Sequence, residues 1–364
     1  TTIFQAMADV SDATLEKLNR QDARISERTK IPEKLDGIRI ATSPQVDGFI
    51  FVLRLLYNDA NDDLDLARLG FHPEQCLAID TLKKSTSGVV VIGGPTGSGK
   101  STTLQRTLGS IIADTEGRKH IITVEDPPEY PIPGAVQTPV TNASTEEERS
   151  REYQKAIKAS MRLDPDIIML SEVRDTPSAR LAVQAAMTGH QVWTTLHANN
   201  ALGIIDRLID LGADAANVMD PSTIAGLLCQ RLVKVLCPHC KKPLTEHTDR
   251  VPREALERYL SILNISSVFI QGEGCPHCRN SGTAGRTVVA EVIPTDERLM
   301  QYLRDKDRLS AREYITKELG CLSMLDHTIQ KINAGLVDPY LAEDVVGMLV
   351  NPIVHAPRRL EAVA

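Results

Sequence analysis

Short apolar runs alternate with longer amphipathic stretches across the middle of the chain. The stretches have helical spacing, and helices are predicted to begin near Ser101 and to span 145–162 and 177–188. The runs indicate buried strands over residues 89–92, 120–124, 167–170 and 191–196. Strands separated by helices predict a parallel α/β sheet whose functional site lies at the carboxyl ends of its strands.

A smaller α+β pattern precedes this sheet. A helix is predicted over 10–20, and a loop over 43–48 is expected to join two strands as a hairpin. The strands of this module are predicted over 23–26, 37–42 and 48–56. Arg39 and Arg54 lie inside two of them between apolar residues, so each projects from the opposite face, toward solvent or a partner.

Turn-rich and helical segments complete the chain. An acidic linker over 58–65 leads to a short helix over 64–70 that ends at glycine, and another helix spans 73–84. Later helices are predicted over 253–263, 297–304, 310–320 and 323–334. The predicted divisions are an N-terminal module 1–63, a linker 64–87, a core domain 88–236, a cysteine segment 237–290, a C-terminal helical region 291–350 and a disordered tail 351–364.

Composition limits the class of protein. The chain has 364 residues, of which 42% are hydrophobic, and this length suggests two or three domains. A net charge of −7 and a pI of about 5.8 argue against nucleic acid as the main partner. No apolar run reaches the roughly 18 residues of a membrane span, so no transmembrane segment is expected. The first residue is threonine, as expected of a trimmed or processed chain.

The loop after the first core strand carries the strongest signal. It matches G-x-x-x-x-G-K-[ST] in full, between a predicted strand and a helix start, which favours a phosphate-binding loop over an incidental glycine-rich turn. Lys100 is expected to contact the β- and γ-phosphates of a nucleotide, and Ser101 to ligate magnesium. The predicted nucleotide-binding residues are Gly94, Pro95, Thr96, Gly97, Ser98, Gly99, Lys100, Ser101 and Thr102.

Carboxylates and histidines stand at the other strand ends. Glu172 follows an apolar strand and is expected to activate the attacking water, while Glu125 and Asp126 are expected to bind magnesium directly or through water. A strand-end carboxylate in an arbitrary protein is more often a turn or cap residue, but the complete phosphate loop reverses that preference. His190 and His197 bracket the strand over 191–196 and are candidate sensors of the γ-phosphate.

Two C-P-H-C sequences predict a metal site. Cys237, Cys240, Cys275 and Cys278 can supply four thiolates in a tetrahedron, which is typical of structural zinc. Redox-active dithiols are the alternative interpretation, and His239 or His277 could replace a cysteine as ligand. The chain has seven cysteines, and an odd number with C-x-x-C spacing favours a reducing compartment over a disulfide framework. The remaining cysteines are expected to be small core residues.

The four segments 94–101, 123–130, 164–175 and 188–201 occur in one order that resembles the Walker A, Asp box, Walker B and His box of the secretion ATPase superfamily. The resemblance is to the type II secretion and type IV pilus assembly branch. It also covers 21–26, Arg39, Arg54 and both cysteine pairs, and it extends over about 15–347. The cysteine pairs favour assembly and secretion ATPases over pilus retraction ATPases.

The resemblance implies a PAS-like module ahead of a RecA-like P-loop NTPase domain, with ATP bound between them in a homo-hexamer. It implies that Arg39 and Arg54 reach the γ-phosphate on closure. Glu172 matches the Walker B glutamate, Glu125 the Asp-box acid and His197 the second box histidine. Arg162 and Arg174 match positions that make sheet-edge or subunit contacts.

The function that follows is a cytoplasmic, Mg-dependent ATPase motor associated peripherally with the inner membrane. It is expected to drive type IV pilus assembly or type II secretion through an inner-membrane platform protein. Ser171 and Asn200 depart from the glycine and aspartate usual in the family, and either is expected to slow turnover without abolishing it. A nucleic-acid-translocating ATPase and a nucleotide-sensing scaffold with poor catalysis remain as alternatives.

Overall fold

Two sheets of different size carry the fold. The computed structural model describes residues 21–25, 31–57, 63–140 and 145–350, so the predicted helix over 10–20 and the tail over 351–364 lie outside the described residues. The small sheet is antiparallel, in the order β1 (Gln21–Ile25), β2 (Leu35–Gln45) and β3 (Gly48–Tyr57). The three strands predicted for the N-terminal module are thus confirmed, while its PAS-like character stays a prediction.

The hairpin that joins β2 and β3 is tighter than predicted. β2 continues to Gln45, so that only Val46 and Asp47 form the turn in place of a loop over 43–48. The turn length sets the register of the two strands, because each residue of one strand then has a defined partner on the other. In this register Arg39 is the direct partner of Arg54.

The large sheet has seven strands, and four of them are the predicted core strands. They are β4 (Gly88–Gly93), β5 (Ile121–Glu125), β6 (Val136–Pro139), β7 (Ile167–Leu170), β8 (Gln191–Leu196), β9 (Ile224–Leu236) and β12 (Thr283–Pro294). Their order is β12-β9-β4-β8-β7-β5-β6. The pairs from β9 to β6 are parallel, as predicted for β4, β5, β7 and β8, whereas β12 is antiparallel to β9. Strands β6, β9 and β12 were not predicted.

Helices cover both faces of the large sheet. Val89 and Val91 of β4 pack into one core and Val90 and Ile92 into the other, because alternate side chains of a strand point to opposite faces. The first core is shared with helices Glu146–Ser160, Thr176–Met187 and Ala201–Asp210, and the second with helices Pro73–Lys83 and Lys100–Asp114. The continuous apolar runs of the sequence are therefore explained by burial on two sides.

The segment before the helix Pro73–Lys83 is shorter than predicted. The expected helix over 64–70 is a single 3-10 turn, Leu66–Leu69, which Asp65 caps at its start. Gly70 closes the turn with a left-handed φ of +106°. Four residues form too few hydrogen bonds to nucleate an α-helix on their own.

The cysteine segment and the last two helices share a third core beyond the sheet, whereas the helices Glu297–Arg304 and Arg308–Glu313 pack against the first core. Val233 of β9 and Val289 of β12 pack there with Tyr259 and Ile332. The elements of this region are β10 (Lys242–Pro243), helix Arg253–Ile262, β11 (Phe269–Ile270), helices Glu297–Arg304 and Arg308–Glu313, a π-helical turn Tyr314–Glu318, and helices Met324–Asn333 and Pro339–Val346. Residue 290, a predicted domain boundary, falls inside β12. Among the described residues, every helix is too short or too polar to cross a membrane.

Candidate functional site

The predicted phosphate loop connects β4 to the helix Lys100–Asp114. Gly94 approaches its neighbours so closely that a Cβ atom would lie 2.5 Å from Ser98 Oγ and from the backbone oxygen of Gln230. Gly97 has a φ of +77°, and a Cβ placed there would meet no atom within 4 Å. The loop is thus closely packed at Gly94 and open at Gly97, as is required of a backbone that surrounds a phosphate.

Gln230 of β9 supports the loop from behind. Its Nε2 donates a hydrogen bond of 2.8 Å to the backbone oxygen of Ser98, and its side chain is fully buried. The sequence gives no local signal for this contact, because Gln230 lies 132 positions from its partner.

Lys100 lies at the mouth of the loop. Its Nζ donates hydrogen bonds to the backbone oxygens of Gly94 (2.8 Å) and Pro95 (3.0 Å). Burial lowers the pKa of Lys100, and the nearby carboxylates of Glu172 and Glu129 partly offset that effect. The amine is therefore a desolvated cation that a bound anion would stabilise.

Glu172 joins the ends of two neighbouring strands. It follows β7, and its Oε1 lies 2.8 Å from Nε2 of His197, which follows β8. Its Oε2 accepts a hydrogen bond of 3.0 Å from Nε of Arg174. The backbone N–H of Glu172 donates to the Tyr153 hydroxyl at 3.4 Å, and burial raises the pKa of Tyr153 to about 12. The carboxylate is thus oriented from both sides.

Arg174 lies between two carboxylates of the candidate site, with Nη1 at 3.4 Å from Asp126 Oδ2 and Nε at 3.0 Å from Glu172 Oε2. The sheet-edge or subunit contact that the resemblance implied for it stays a prediction. Burial disfavours the charge of Arg174, yet the carboxylates of Asp126 and Glu172 raise its pKa. Asp126, expected to bind magnesium, is engaged by this arginine and by Arg149 at 3.9 Å. Arg162 is exposed.

Glu125 ends β5 inside the site and is only 5% exposed. Its Oε1 accepts hydrogen bonds of 2.7 Å from Thr123 Oγ1 and from Gln137 Nε2. Thr123 lies two positions earlier in the same strand and so on the same face. Gln137 comes from β6, a strand that was not predicted, and this contact was therefore missed.

Arg39 and Arg54 reach the same site from the N-terminal module. As direct cross-strand partners they share one face of the small sheet. Arg54 Nη1 lies 3.6 Å from Oε1 of Glu129, which follows β5. Half-exposed ion pairs of this kind contribute about 0–1 kcal/mol, so Arg54 can exchange this partner for another anion at little cost.

One cavity of about 390 Å³ brings these groups together. Among the residues that line it are all six predicted catalytic residues: Arg39, Arg54, Lys100, Glu125, Glu172 and His197. Thr96, Gly97 and Ser101 of the loop also line it. The parallel strands β4, β5, β7 and β8 all end at this cavity, as the sequence predicts, and that it is the functional site stays a prediction.

His190 does not belong to this cavity. It precedes β8, whereas His197 follows it, and the six residues of the strand separate the two by roughly 20 Å. Its Nδ1 lies 3.1 Å from Thr188 Oγ1 and 3.0 Å from the backbone oxygen of Ala185. The prediction that both histidines sense one phosphate was therefore wrong for His190.

A second cavity of about 350 Å³ opens on the other side of the helix that follows the loop. Gly99 and Thr102 line it from the loop side, and Arg68 and Leu69 line it from the 3-10 turn. Leu232 of β9 adds an apolar side chain to the wall. The two cavities adjoin each other, since Gln105, Tyr130 and Ile132 line both.

The four predicted metal ligands form a compact cluster. All four Sγ atoms lie within 4.8 Å of one another, and three of the distances are 3.8 Å, between Cys237 and Cys275, Cys240 and Cys278, and Cys275 and Cys278. Four sulfurs at Zn–S distances of about 2.3 Å in a tetrahedron are about 3.8 Å apart. The cluster therefore matches the size of a tetrahedral zinc site, and the cysteines are not disulfide-bonded.

Backbone donors favour the thiolate form of one member of the cluster, Cys278, whereas burial and the neighbouring thiols raise the pKa of Cys240 to about 12. Burial opposes ionisation of Cys278, but the N–H groups of Cys275 and Gly282, each 3.2 Å from its Sγ, lower its pKa to about 6. His239 and His277 are outside the cluster and contact each other in a tilted arrangement, with ring centroids 4.1 Å apart and planes at 54°. Within the described residues, cysteine alone supplies the ligand set.

Comparisons with known proteins agree with these features. A family model described as "Type II/IV secretion system protein" matches residues 3–346. The type II secretion system ATPase E of Vibrio cholerae is 35% identical over 321 residues, covering 88% of this chain and 60% of that protein. The type II secretion system protein E of Pseudomonas aeruginosa is 36% identical over 295 residues, covering 80% and 54%. The chain thus spans little more than half the length of these relatives.

A solved structure of the pilus retraction motor PilT with bound ADP has a TM-score of 0.60 to this chain at 21% identity, covering 90% of this chain and 77% of that one. At this identity the likeness concerns the fold alone. It agrees with the α/β architecture that the motif order implied. Together with the family match, these findings establish that the chain belongs to the type II/IV secretion system protein family.

Proposed function

We propose that this chain is a Mg-dependent ATPase motor of the type II secretion and type IV pilus assembly branch, which hydrolyses ATP between its N-terminal module and its core domain. The observation that carries the proposal is the cavity of about 390 Å³, in which Arg39 and Arg54 of one module face Lys100, Glu125 and Glu172 of the other. The names of the relatives favour the secretion branch.

The phosphates would lie against the loop. Lys100 would exchange its bonds to the Gly94 and Pro95 carbonyls for the β- and γ-phosphates, and Ser101 would hold the magnesium. Magnesium, when bound, neutralises the charge that develops on the phosphates. Glu125 is the carboxylate best placed to orient it, because Asp126 is already engaged by Arg174.

Glu172 would orient and deprotonate the attacking water. Its partners His197 and Arg174 hold the carboxylate in place, and His197 would report the presence of the γ-phosphate. The two arginines of the small sheet would bind the γ-phosphate from the opposite side. Like charges directly opposite each other on neighbouring strands are destabilising, and a polyanion between them removes that cost.

The base and ribose would occupy the second cavity. Gly99 and Thr102 line it, and both belong to the predicted nucleotide-binding residues. Leu232 and Leu69 offer apolar contact for the base, and Arg68 lines the same space. Of the predicted loop residues, Thr96, Gly97 and Ser101 would then face the phosphates.

The working assembly would be a homo-hexamer on the cytoplasmic side of the inner membrane, acting on an inner-membrane platform protein. Closure of the N-terminal module on ATP would be the mechanical step, with the weak Arg54–Glu129 pair released each time. The net charge of −7 disfavours nucleic acid as the load. The four cysteines would hold a structural zinc, since four thiolates leave no open position for catalysis.

Steady-state turnover of the purified chain tests the proposal. Magnesium-dependent release of phosphate from ATP is expected, with an increase when the cytoplasmic part of the platform protein is added. Lys100→Ala should abolish nucleotide binding or turnover, whereas the matched control Lys317→Ala, at an exposed helical lysine, should not. A folded wild-type chain that neither binds nor hydrolyses ATP would refute the proposal.

A further inference from the structure

Lys331 is a buried cation with an unusual partner. It lies in the helix Met324–Asn333, here called the strut helix, and is only 9% exposed. Its Nζ donates a hydrogen bond of 2.7 Å to the backbone oxygen of Gly70. Among the described residues no carboxylate lies within ion-pair distance of this amine, and burial lowers its pKa to about 8. It is energetically costly to bury a charged amine that makes a single hydrogen bond to a backbone oxygen, so we expect Lys331 to have a specific role.

Gly70 is the end of the 3-10 turn that leads from the N-terminal module to the core. A Cβ at this position would lie 1.9 Å from Thr287 Oγ1 of β12, and the same hydroxyl donates to the backbone oxygen of Leu69 at 3.4 Å. The turn is thus wedged between β12 and the strut helix. Its own residues Arg68 and Leu69 line the second cavity, so the position of Gly70 sets the position of that wall.

The strut helix is anchored at its other end by Glu291. One oxygen of this β12 carboxylate accepts from the backbone N–H of Met324 at 3.4 Å. The other accepts from Ala201 at 2.9 Å, the first residue of the helix that follows His197. A carboxylate at two helix N-termini is favoured by both helix dipoles. Between its ends, His327 accepts a hydrogen bond of 3.0 Å from the backbone N–H of Ala290.

We propose that the helix Met324–Asn333 is a strut and that Lys331 is its positioning residue, which holds Gly70 and thereby fixes the wall formed by Arg68 and Leu69 for the nucleoside part of the substrate. Glu291 sets the helix at the other end. The inference rests on the proposed function, because it assigns the second cavity to the base and ribose. Lys331 itself lines neither cavity.

The test uses the full chain, with ATP as substrate. Lys331→Met and Glu291→Gln are each expected to raise the KM for ATP three- to tenfold and to change kcat less than twofold. The reason is that they loosen the wall of the second cavity and leave the residues that contact the phosphates in place. The double variant should resemble either single variant, since both disrupt one strut. Lys331→Arg, which retains a cation and donors, should restore most of the affinity, and Lys317→Met is the control at an exposed lysine of another helical segment.

Hydrogen exchange provides a second readout that does not need turnover. In Lys331→Met, peptides covering 66–72 should exchange faster than in the wild type, with peptides of the phosphate loop unchanged. Any one of four results would overturn the proposed strut. They are a wild-type KM in Lys331→Met, a fall in kcat alone in that variant, additive effects in the double variant, and unchanged hydrogen exchange over 66–72. Failure of the wild type to hydrolyse ATP would instead refute the proposed function. The strut would then be tested by hydrogen exchange over 66–72 alone.

Discussion

Oε1 of Glu172 lies 2.8 Å from Nε2 of His197, across the ends of two neighbouring parallel strands. The contact depends on the pairing of β7 with β8, which brings the residues that follow them to one edge of the sheet. It makes the histidine an orienting group for the carboxylate, and it places both beside the phosphate loop.

We expect Glu172→Gln to lower kcat about 10²- to 10⁴-fold, which is the usual contribution of a positioned general base. Nucleotide affinity should change little, because the amide preserves the volume of the side chain and its remaining oxygen can still accept a hydrogen bond from Arg174. A kcat assay combined with binding of a fluorescent ATP analogue measures both. Glu152→Gln, at a half-buried helical residue outside the cavity, is the matched control, and wild-type kcat in Glu172→Gln would refute the assignment.

Arg39→Gln and Arg54→Gln should each lower kcat by more than tenfold, because each removes a cation that faces the phosphate loop across the cavity. Glu129→Gln is expected to lower the KM for ATP, because it removes the carboxylate that pairs with Arg54 and leaves this arginine available for the phosphates. Steady-state kinetics at two salt concentrations tests both statements. Arg118→Gln, at an exposed arginine outside the cavity, should be neutral; equal losses in all three arginine variants would indicate a nonspecific charge effect.

Removal of zinc should destabilise the chain without acting on the phosphate site. Cys275→Ser is expected to abolish the zinc content and to lower the Tm by at least about 5 °C, since 1 kcal/mol corresponds to about 2–4 °C in a domain of 150–250 residues. Elemental analysis and thermal unfolding measure the two effects. Cys76→Ser, at a cysteine outside the cluster, should retain the metal. Absence of zinc from wild-type protein purified without chelators would contradict the prediction.

His327 should make the protein less stable in mild acid. Burial, together with the charge of Lys331, lowers its pKa to about 4 from 6.5, and His72, whose ring centroid lies 6.5 Å from that of His327, adds to this effect. Between these two values the unfolded chain binds a proton that the folded chain does not, so stability falls as the pH decreases through this window, by a total on the order of 3 kcal/mol.

Urea unfolding at pH 7.5 and pH 4.5 measures this dependence. The free energy of unfolding should fall more in the wild type than in His327→Gln, which keeps an acceptor for the Ala290 N–H but does not titrate. Equal pH dependence in the two proteins would show that His327 accepts a proton in the folded state.

Local patterns predicted the parts of the site whose residues are close in sequence or lie at equivalent places in a repeated unit. The phosphate loop spans eight residues, the strand before Glu172 is a continuous apolar run, and the strands that lead to Glu125 and His197 are rich in β-branched and apolar residues, as expected of strands buried on both faces. Parallel strands carry their carboxyl ends to one edge, so the three side chains were expected at the same edge, while the strand order decided which of them are neighbours. The cysteine pairs were predictable for the same reason, since C-x-x-C spacing is itself the geometry of a knuckle.

Other relationships depended on pairings between distant segments. The prediction for His190 was wrong because it lies at the amino end of β8, whereas the site lies at the carboxyl end. The position of a residue next to a strand in the sequence did not distinguish these two ends. Gln230 and Gln137 support the loop and Glu125 from strands that were not predicted. Lys331 meets Gly70 across 261 positions.

By itself, the sequence determined the chemistry at the strand ends and in the cysteine pairs, because burial, periodicity and ligand spacing act over a few residues. Only the tertiary structure decided that Arg39 stands opposite Arg54, that Arg174 lies between Asp126 and Glu172, and that a C-terminal helix reaches the turn before the core. These contacts follow from strand register and from the packing of whole helices, which are properties of the assembled core and not of any one segment.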